Sequence, residues 1–444
     1  MIAMRHLSKR IPIVVVLANG SNGAIDDTQH RSVTPQTHSF SYMQAKGARW
    51  HWSLWGEKGV KACADRSSLG SFPRTAYATG ILTAWRSQVA TGVLMTIIVR
   101  VLKSRHGDCI LVSHEGEGGV FNLLIDGGTS TTFRHGVRQR YAGALCSTLD
   151  DLKAKGQRID LAILTHIDDD HINGLIKAFE KPGYLGDMVR SIWFNSSRLI
   201  TRHFEVPEIP ENNIELLDDD PQTSVKQGRD LEALLDEIGC VRAPLIMSGQ
   251  THQAGPFTLK VLSPGRDQLE KLLHVWPCDV DPGKTSAHDT DYHLALQDIW
   301  SDDTFQADTS VYNGSSIAFT LEAEGRCLLF LGDAHDKVVF DSLRACGYSE
   351  TNKLRLDLVK LSHHGSQYNT SSDLLGLLDA PIYIVSTDGS RHGLPNKRTV
   401  ARLIKSTQGN VYFNYDHVVA PLLLNHEIEE YSSRLKVLDD EIRY

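Results

Sequence analysis

The run Thr165-His166-Ile167-Asp168-Asp169-Asp170-His171-Ile172-Asn173-Gly174-Leu175 carries the strongest chemical signal in the chain. His166 and Asp168 are two residues apart, and Asp170 adjoins His171. Oxygen and nitrogen donors therefore crowd a single turn. Carboxylates placed so close repel one another unless a cation neutralises them. The plain alternative is a solvated acidic turn with two chance histidines. It is weakened by what recurs downstream. Asp333 follows the apolar run Leu328 to Leu331, paired His363 and His364 follow Leu356 to Leu361, and His392 follows Ile382 to Thr387. Any one of these is a weak signal, but all of them in this order form a metal-site pattern.

The elements behind these residues must hold them rigidly, and apolar strands ending at the cluster do so. The run Ile159 to Thr165 reads as a buried strand stopping at the first cluster, with a helix over Ile172 to Glu180. Upstream, a strand opens at Met95, followed by Gly107 to Val112 and Phe121 to Gly128, joined by a Gly-rich turn at Glu115 to Gly119. A helical stretch is expected from about Gly136 to Lys155, a strand at Arg190 to Phe194, a helix at Thr223 to Ile238 and a strand at Phe257 to Leu262. Strands resume at Ser316 to Glu322 and Arg326 to Leu331, with a helix at Ala334 to Cys346. Two strand–helix units follow, Leu356 to Ser362 with Ser371 to Leu378, and Ile382 to Thr387 with Asn396 to Ser406. Strands mixed with helices in two similar halves indicate a layered α/β domain.

Three segments stand apart. Residues 1–92 are rich in Ser, Thr, Gly, Arg and Trp and keep no period for long. The expectation is an extension that is poorly ordered or a mis-assigned start, with the layered α/β domain spanning 93–424. Residues 265–313 are Asp-rich and carry Pro277 and Pro282, so they read as an insertion loop with one helix. Its Ser286-Ala-His288-Asp289-Thr-Asp291-Tyr-His293 mixes His and Asp but has no strand behind it, and reads as a solvated lid or substrate-contact segment rather than a metal site. Residues 425–444 read as a charged surface helix.

Composition narrows the class. No apolar run approaches the ~20 residues that span a bilayer. A formal net charge of −8 argues against a surface that coats itself in nucleic acid without selectivity. Seven cysteines stand singly, with no close pair, which indicates neither a disulfide framework nor a cysteine zinc site and favours a reduced, cytoplasmic protein. The chain lacks a G-x-S-x-G elbow, a P-loop and a G-x-G-x-x-G after a strand.

The motif set, over roughly Met95 to Tyr415, resembles the metallo-β-lactamase superfamily, most closely the branch containing the hydrolase domain of the competence protein ComEC. The family's HxHxDH stands here as His166-x-Asp168-x-Asp170-His171, with Asp in place of the second His, as in that branch. Gly107-Asp108, Asp126, Asn313-Gly-Ser-Ser316, Leu-Gly-Asp333 and Ser-His-His364-Gly-Ser match further pieces. The family's lone third-motif histidine has no clear equivalent between Gly174 and Asp333, where Asn313 and Ser316 stand instead.

The resemblance implies a four-layer αββα sandwich and two divalent metal ions, Zn²⁺ or Mn²⁺. His166 and Asp168 would hold one ion, Asp170, His171 and His364 the other, and Asp333 both. Asp126 would orient ligands. Asp170 and His392 would act in catalysis, His392 as a ligand, a leaving-group contact or a proton donor. His363 is the weaker candidate, since one of two adjacent histidines would point elsewhere. Asp169 and His335 read as structural. Such a centre activates a hydroxide near neutral pH and stabilises charge on attacking and leaving oxygens. The expected reaction is hydrolysis of a phosphodiester, with Arg134, Arg138, Arg140, Lys397 and Arg398 as phosphate contacts. The alternatives are an acyl or lactone hydrolase, or an effector subunit acting with a protein partner.

Overall fold

The computed structural model describes residues 95–205, 223–275 and 290–444, together with five strands before residue 65. The chain forms two compact units, Met1–Gly92 and Val93–Tyr444. In the first, the strands Ile2–Met4, Ile13–Val15, Phe40–Ala45, Ala48–Trp55 and Gly59–Ala64 pair in one sheet, in the order first, second, fifth, fourth, third.

The second unit holds two large sheets, its strands numbered here from Thr96. One runs from β1 (Thr96–Val101) through β2 (Ile110–Gly116), β3 (Gly119–Ile125), β4 (Leu161–Ile163) and β5 (Ser191–Trp193) to β6 (Val241–Arg242). Strands β3 to β6 are parallel, and β1 to β3 form an antiparallel meander. The other sheet contains, in order, β7 (Thr251–Ala254), β8 (Phe257–Ser263), β9 (Ala318–Ala323), β10 (Arg326–Phe330), β11 (Leu358–Lys360), β12 (Ile382–Val385) and β13 (Asn410–Phe413). Here β7 to β10 are antiparallel and β10 to β13 parallel.

Period-two alternation makes the layers. Leu328 and Phe330 of β10 join Val99, Val112, Leu123, Ile163 and Phe319 in a core between the sheets. Leu329 and Leu331 face the opposite way, packing with Val339, Leu343, Val400 and Leu403 of covering helices. Leu111, Leu124 and Ala162 likewise pack with Leu145, Leu149, Leu175 and Leu235 on the outer face of the first sheet. Helix, sheet, sheet, helix is the expected αββα sandwich.

Four local readings change. Helix α1 spans only Ala144–Ala154, because Gly136 at φ 80° turns Arg134–His135 back to pair with Tyr141–Ala142. The insertion carries three helical segments in its described part, Arg266–Val275, Leu296–Ser301 and Val311–Gly314. His288 and Asp289 lie outside the described residues. Asp291 accepts the backbone N–H groups of Lys397 and Arg398 at 2.7 and 2.8 Å, so this stretch caps a helix and is more than a solvated lid. The C-terminal tail is not a surface helix. After the short turn Ile428–Tyr431, Leu435–Val437 (β14) adds to β13 and Ile442–Arg443 (β15) pairs with β1, so the tail closes an edge of each sheet. These strands hold only three and two residues, too few for a period of two to be read from the sequence. Among the described residues no helix is long and apolar enough to cross a membrane.

Candidate metal centre

Five parallel strands deliver the cluster. Asp126 follows β3, His166 follows β4, Asp333 follows β10, His363 and His364 follow β11, and His392 lies beyond β12. The carboxyl ends of parallel strands open onto a crevice where loops carry side chains without distorting the sheet. Helix α2 (Asp169–Glu180) starts inside the cluster, which sets Asp169 and Asp170 in its first turn, where the positive end of the helix dipole favours carboxylates.

Asp333 is the hub. Its Oδ2 lies 3.4 Å from His171 Nε2, 3.7 Å from His364 Nε2, 3.8 Å from His166 Nε2 and 3.9 Å from His363 Nε2. Asp168 Oδ2 is 3.4 Å from His166 Nε2, and Asp170 Oδ2 is 3.3 Å from His364 Nε2. Two sets of donor atoms each lie within 4.8 Å of one another, His166 with His171 and Asp333, and Asp170 with His171 and His364. The six expected ligands thus meet in space.

The backbone carries His363 and His364 at φ 45° and 53°, two consecutive left-handed residues before Gly365. That turn brings both rings to Asp333, which corrects the expectation that one of the adjacent pair points elsewhere. An alternating strand would separate them; a left-handed pair does not. His363 Nδ1 lies 3.1 Å from Asn369 Oδ1 and 3.3 Å from Asn313 Nδ2, with Asp308 Oδ2 bonded to both amides. Ser316 Oγ accepts the N–H of Asp333 at 3.2 Å. Asn313 and Ser316 therefore support the centre from behind.

Each ring's other nitrogen is held. Asp126, itself at φ 56°, accepts Thr165 N at 2.7 Å and Thr165 Oγ1 at 2.8 Å, and sits 2.9 Å from His171 Nδ1. Because the Thr165 hydroxyl donates to Asp126, its oxygen is left to accept from His166 Nδ1 at 3.1 Å. His364 Nδ1 donates to the Ser386 carbonyl at 2.8 Å and lies 3.4 Å from Asp108 Oδ1. Asp108 takes a hydrogen bond from Ser386 Oγ and pairs with Lys360 Nζ. Anchored Nδ1 atoms leave the Nε2 atoms facing inward, the arrangement metal-binding histidines use.

The inward atoms are unsatisfied. His166 Nε2, His171 Nε2, His364 Nε2 and Asp333 Oδ1 are buried with no hydrogen-bond partner. Buried polar atoms without partners are costly, and four around one point fit cations. Protons would otherwise compensate the carboxylates. Burial works against charge on His364, yet Asp333, Asp108 and Asp170 hold its imidazolium up to about 10. His171 is raised well above the usual range despite its burial, by Asp333, Asp126 and Asp170. Burial alone would raise Asp333, but the His171, His364 and His363 rings hold it well below the usual carboxylate range.

Residues outside the cluster divide. Asp169 Oδ1 accepts from Gln227 Nε2 at 2.8 Å and from Asn173, tying α2 to the helix Thr223–Glu237. His335 caps the helix Asp336–Ala345 and contacts Ser310 O at 2.8 Å. Both are structural. His392 stands at φ 56° at the cleft mouth, where partial burial and His363 lower its affinity for a proton. The expected phosphate contacts are corrected in part. Lys397 is buried on Glu427 at 2.7 Å, Arg398 donates to the Asp302 carbonyl, and Arg134 stacks beside Phe133 and Tyr184. Arg138 and Arg140 are exposed. In the sequence Asp108 stands out only as part of a motif, and nothing marks Lys360 or Asp308. Long-range pairing created their roles, so no local signal marked them.

Residues 103–239 match the family model described as the metallo-beta-lactamase superfamily, a segment holding Asp108, Asp126 and the His166–His171 run. The match supports that superfamily, although it spans less than half of the 444 residues. No curated protein sequence matches the chain. Among solved structures, CmlA, a diiron β-hydroxylase from Streptomyces venezuelae, is similar at 12% identity and TM-score 0.36, over 79% of this chain and 54% of that one. Zn²⁺-bound PqqB from Methylobacterium extorquens is similar at 12% identity and TM-score 0.34, over 79% of this chain and 99% of its own. Unliganded yeast PDE1 is similar at 12% identity and TM-score 0.34, over 78% and 99%. The chain spans about half the length of CmlA. Likenesses this distant do not bear on its chemistry.

Proposed function

Starting from a metallo-β-lactamase fold, we propose that this chain is a metal-dependent hydrolase of phosphodiester bonds, on a nucleic-acid or nucleotide substrate. The observation that carries the reading is the convergence of four imidazoles on Asp333 Oδ2, three of them with buried, unpartnered Nε2 atoms. His166 and Asp168 are assigned to one ion, Asp170, His171 and His364 to a second, and Asp333 to both. Two divalent ions there would supply an activated water near neutral pH and offset charge on the attacking and leaving oxygens. A set with three carboxylates is hard enough to take Mn²⁺ as well as Zn²⁺. Those carboxylates offset three of the four positive charges of two divalent ions, and the remaining charge attracts an anion.

The chain's own residues set the geometry. Asp126 and Thr165 fix the rings of His171 and His166, while Ser386 and Asp108 fix His364. His392, near enough to Asp170 to feel its charge, and the adjacent Arg391 are assigned contact with phosphoryl oxygens. Asp168 at the second-histidine position supports a place in the ComEC-like branch.

The test uses the full-length protein purified without chelator, analysed for bound metal and assayed with bis-p-nitrophenyl phosphate. The expected result is about two ions per chain and hydrolysis that Asp170→Ala abolishes. Folded protein with neither metal nor activity would overturn the reading.

A further inference from the structure

A second carboxylate–hydroxyl–imidazole chain stands on the rim of the cleft, outside the metal cluster. Ser390 Oγ donates to Asp388 Oδ1 at 2.5 Å and lies 3.4 Å from His106 Nδ1. With its hydrogen committed to Asp388, the hydroxyl oxygen accepts from His106 Nδ1–H. The same logic joins Asp126, Thr165 and His166, where Thr165 Oγ1 donates at 2.8 Å and lies 3.1 Å from the ring. There the free Nε2 faces Asp333. In the second chain, His106 Nε2 has no hydrogen-bond partner among the described residues, and the ring is half-buried.

Position makes this chain relevant. Residue 107 has no side chain, and a Cβ there would lie 1.9 Å from the Asp170 carbonyl oxygen. One residue on, Asp108 N donates to that carbonyl at 3.2 Å. The turn bearing His106 is thus pressed against Asp170. The turn bearing Ser390 is tied to it, because Asp388 N donates to Arg105 O at 2.9 Å. His392 and Arg391 lie on that second turn.

We propose that His106 is a catalytic residue that delivers a proton to the leaving oxygen, with Asp388 and Ser390 as positioning residues; this rests on the phosphodiesterase reading. The water oxygen forms the new bond to phosphorus as the bond to the departing oxygen breaks with its electron pair. That oxygen takes the proton from His106 Nε2. The proton lost by the water returns to solvent, which recharges His106. Burial lowers the ring's affinity for a proton, as do Arg391 and His364, while Asp170 and Asp388 raise it. An anionic substrate beside the ring favours its protonated form, from which Nε2 donates.

The test compares two diesters on full-length, metal-loaded protein. In bis-p-nitrophenyl phosphate the departing phenolate needs no proton; in a thymidine dinucleotide the departing alkoxide does. His106→Ala is expected to lose about 10²–10⁴-fold in kcat on the dinucleotide, and far less on the nitrophenyl ester. Ser390→Ala and Asp388→Asn should lose less, in the same direction, with metal content unchanged in all three. Equal losses on both diesters, no loss, or lost metal would overturn the proposal. Separately, nitrogen NMR of chelated wild-type protein should find His106 as the Nδ1–H tautomer; an Nε2–H ring would overturn the relay whatever the activity. If metal-loaded wild type cleaves neither diester, the phosphodiesterase reading itself has failed.

Discussion

Lys360 Nζ lies 2.6 Å from Asp108 Oδ2, both side chains buried, so a complete ion pair stands directly behind the His364 ring. Burial alone would push the Asp108 carboxyl up, but Lys360 and His364 hold it well below the usual carboxylate range. Removing one partner of a buried pair leaves the other charge uncompensated. Lys360→Met is therefore expected to cost about 3–5 kcal/mol, read from urea unfolding. Lys360→Met combined with Asp108→Asn should recover much of the loss. A single variant as stable as wild type would show that the pair is not needed.

Thr165 is the only hydroxyl between Asp126 and the His166 ring among the described contacts. Thr165→Val keeps the shape and deletes the relay. Metal affinity is expected to fall roughly 10–100-fold, the usual effect of losing an orienting partner. Competition against a chromophoric chelator measures it. Unchanged affinity would mean that packing alone orients the ring.

Gly107 and Gly118 offer a matched pair. A Cβ at 107 meets the Asp170 carbonyl oxygen at 1.9 Å, whereas one at 118 meets nothing within 4 Å. Gly107→Ala must shift backbone and should cost about 1–3 kcal/mol and reduce the metal bound through Asp170. Gly118→Ala should be near neutral in thermal melts. Equal effects of the two would remove the close approach as their cause.

Metal uptake should release protons. His364 is held protonated up to about 10 in the metal-free protein, against the desolvation that opposes it. A ligating imidazole must be neutral, so binding at pH 7–8 expels this proton and affinity climbs with pH toward 10. Titration calorimetry in buffers of different ionisation enthalpy reads the number released. The same shift has a stability consequence for chelated protein. The folded-state value is raised, so its stabilisation is complete below the ordinary histidine range and is lost as pH rises toward 10. A buffer-independent binding heat would contradict this account.

The ligand types and their order were legible because each lies within a few residues of an apolar strand end, a local pattern that alternation and motif spacing expose. His166 to His171, Asp333 and His364 needed no tertiary information to be grouped. The tail was misread because short strands carry too few residues for their period to stand out, and only pairing with β1 and β13 makes them strands.

What the sequence by itself determined is the chemistry on offer: imidazoles and carboxylates at the ends of buried strands in a layered α/β domain, with the αββα form implied by the family resemblance. What only the tertiary structure decided is which atoms each of them faces. His363 turns inward because two left-handed residues aim both rings at Asp333. Ser386 reaches Asp108 across 278 positions, and Ser390 reaches His106 across 284. Contacts of that span exist only after two sheets pack face to face, since no local propensity encodes a partner so far along the chain.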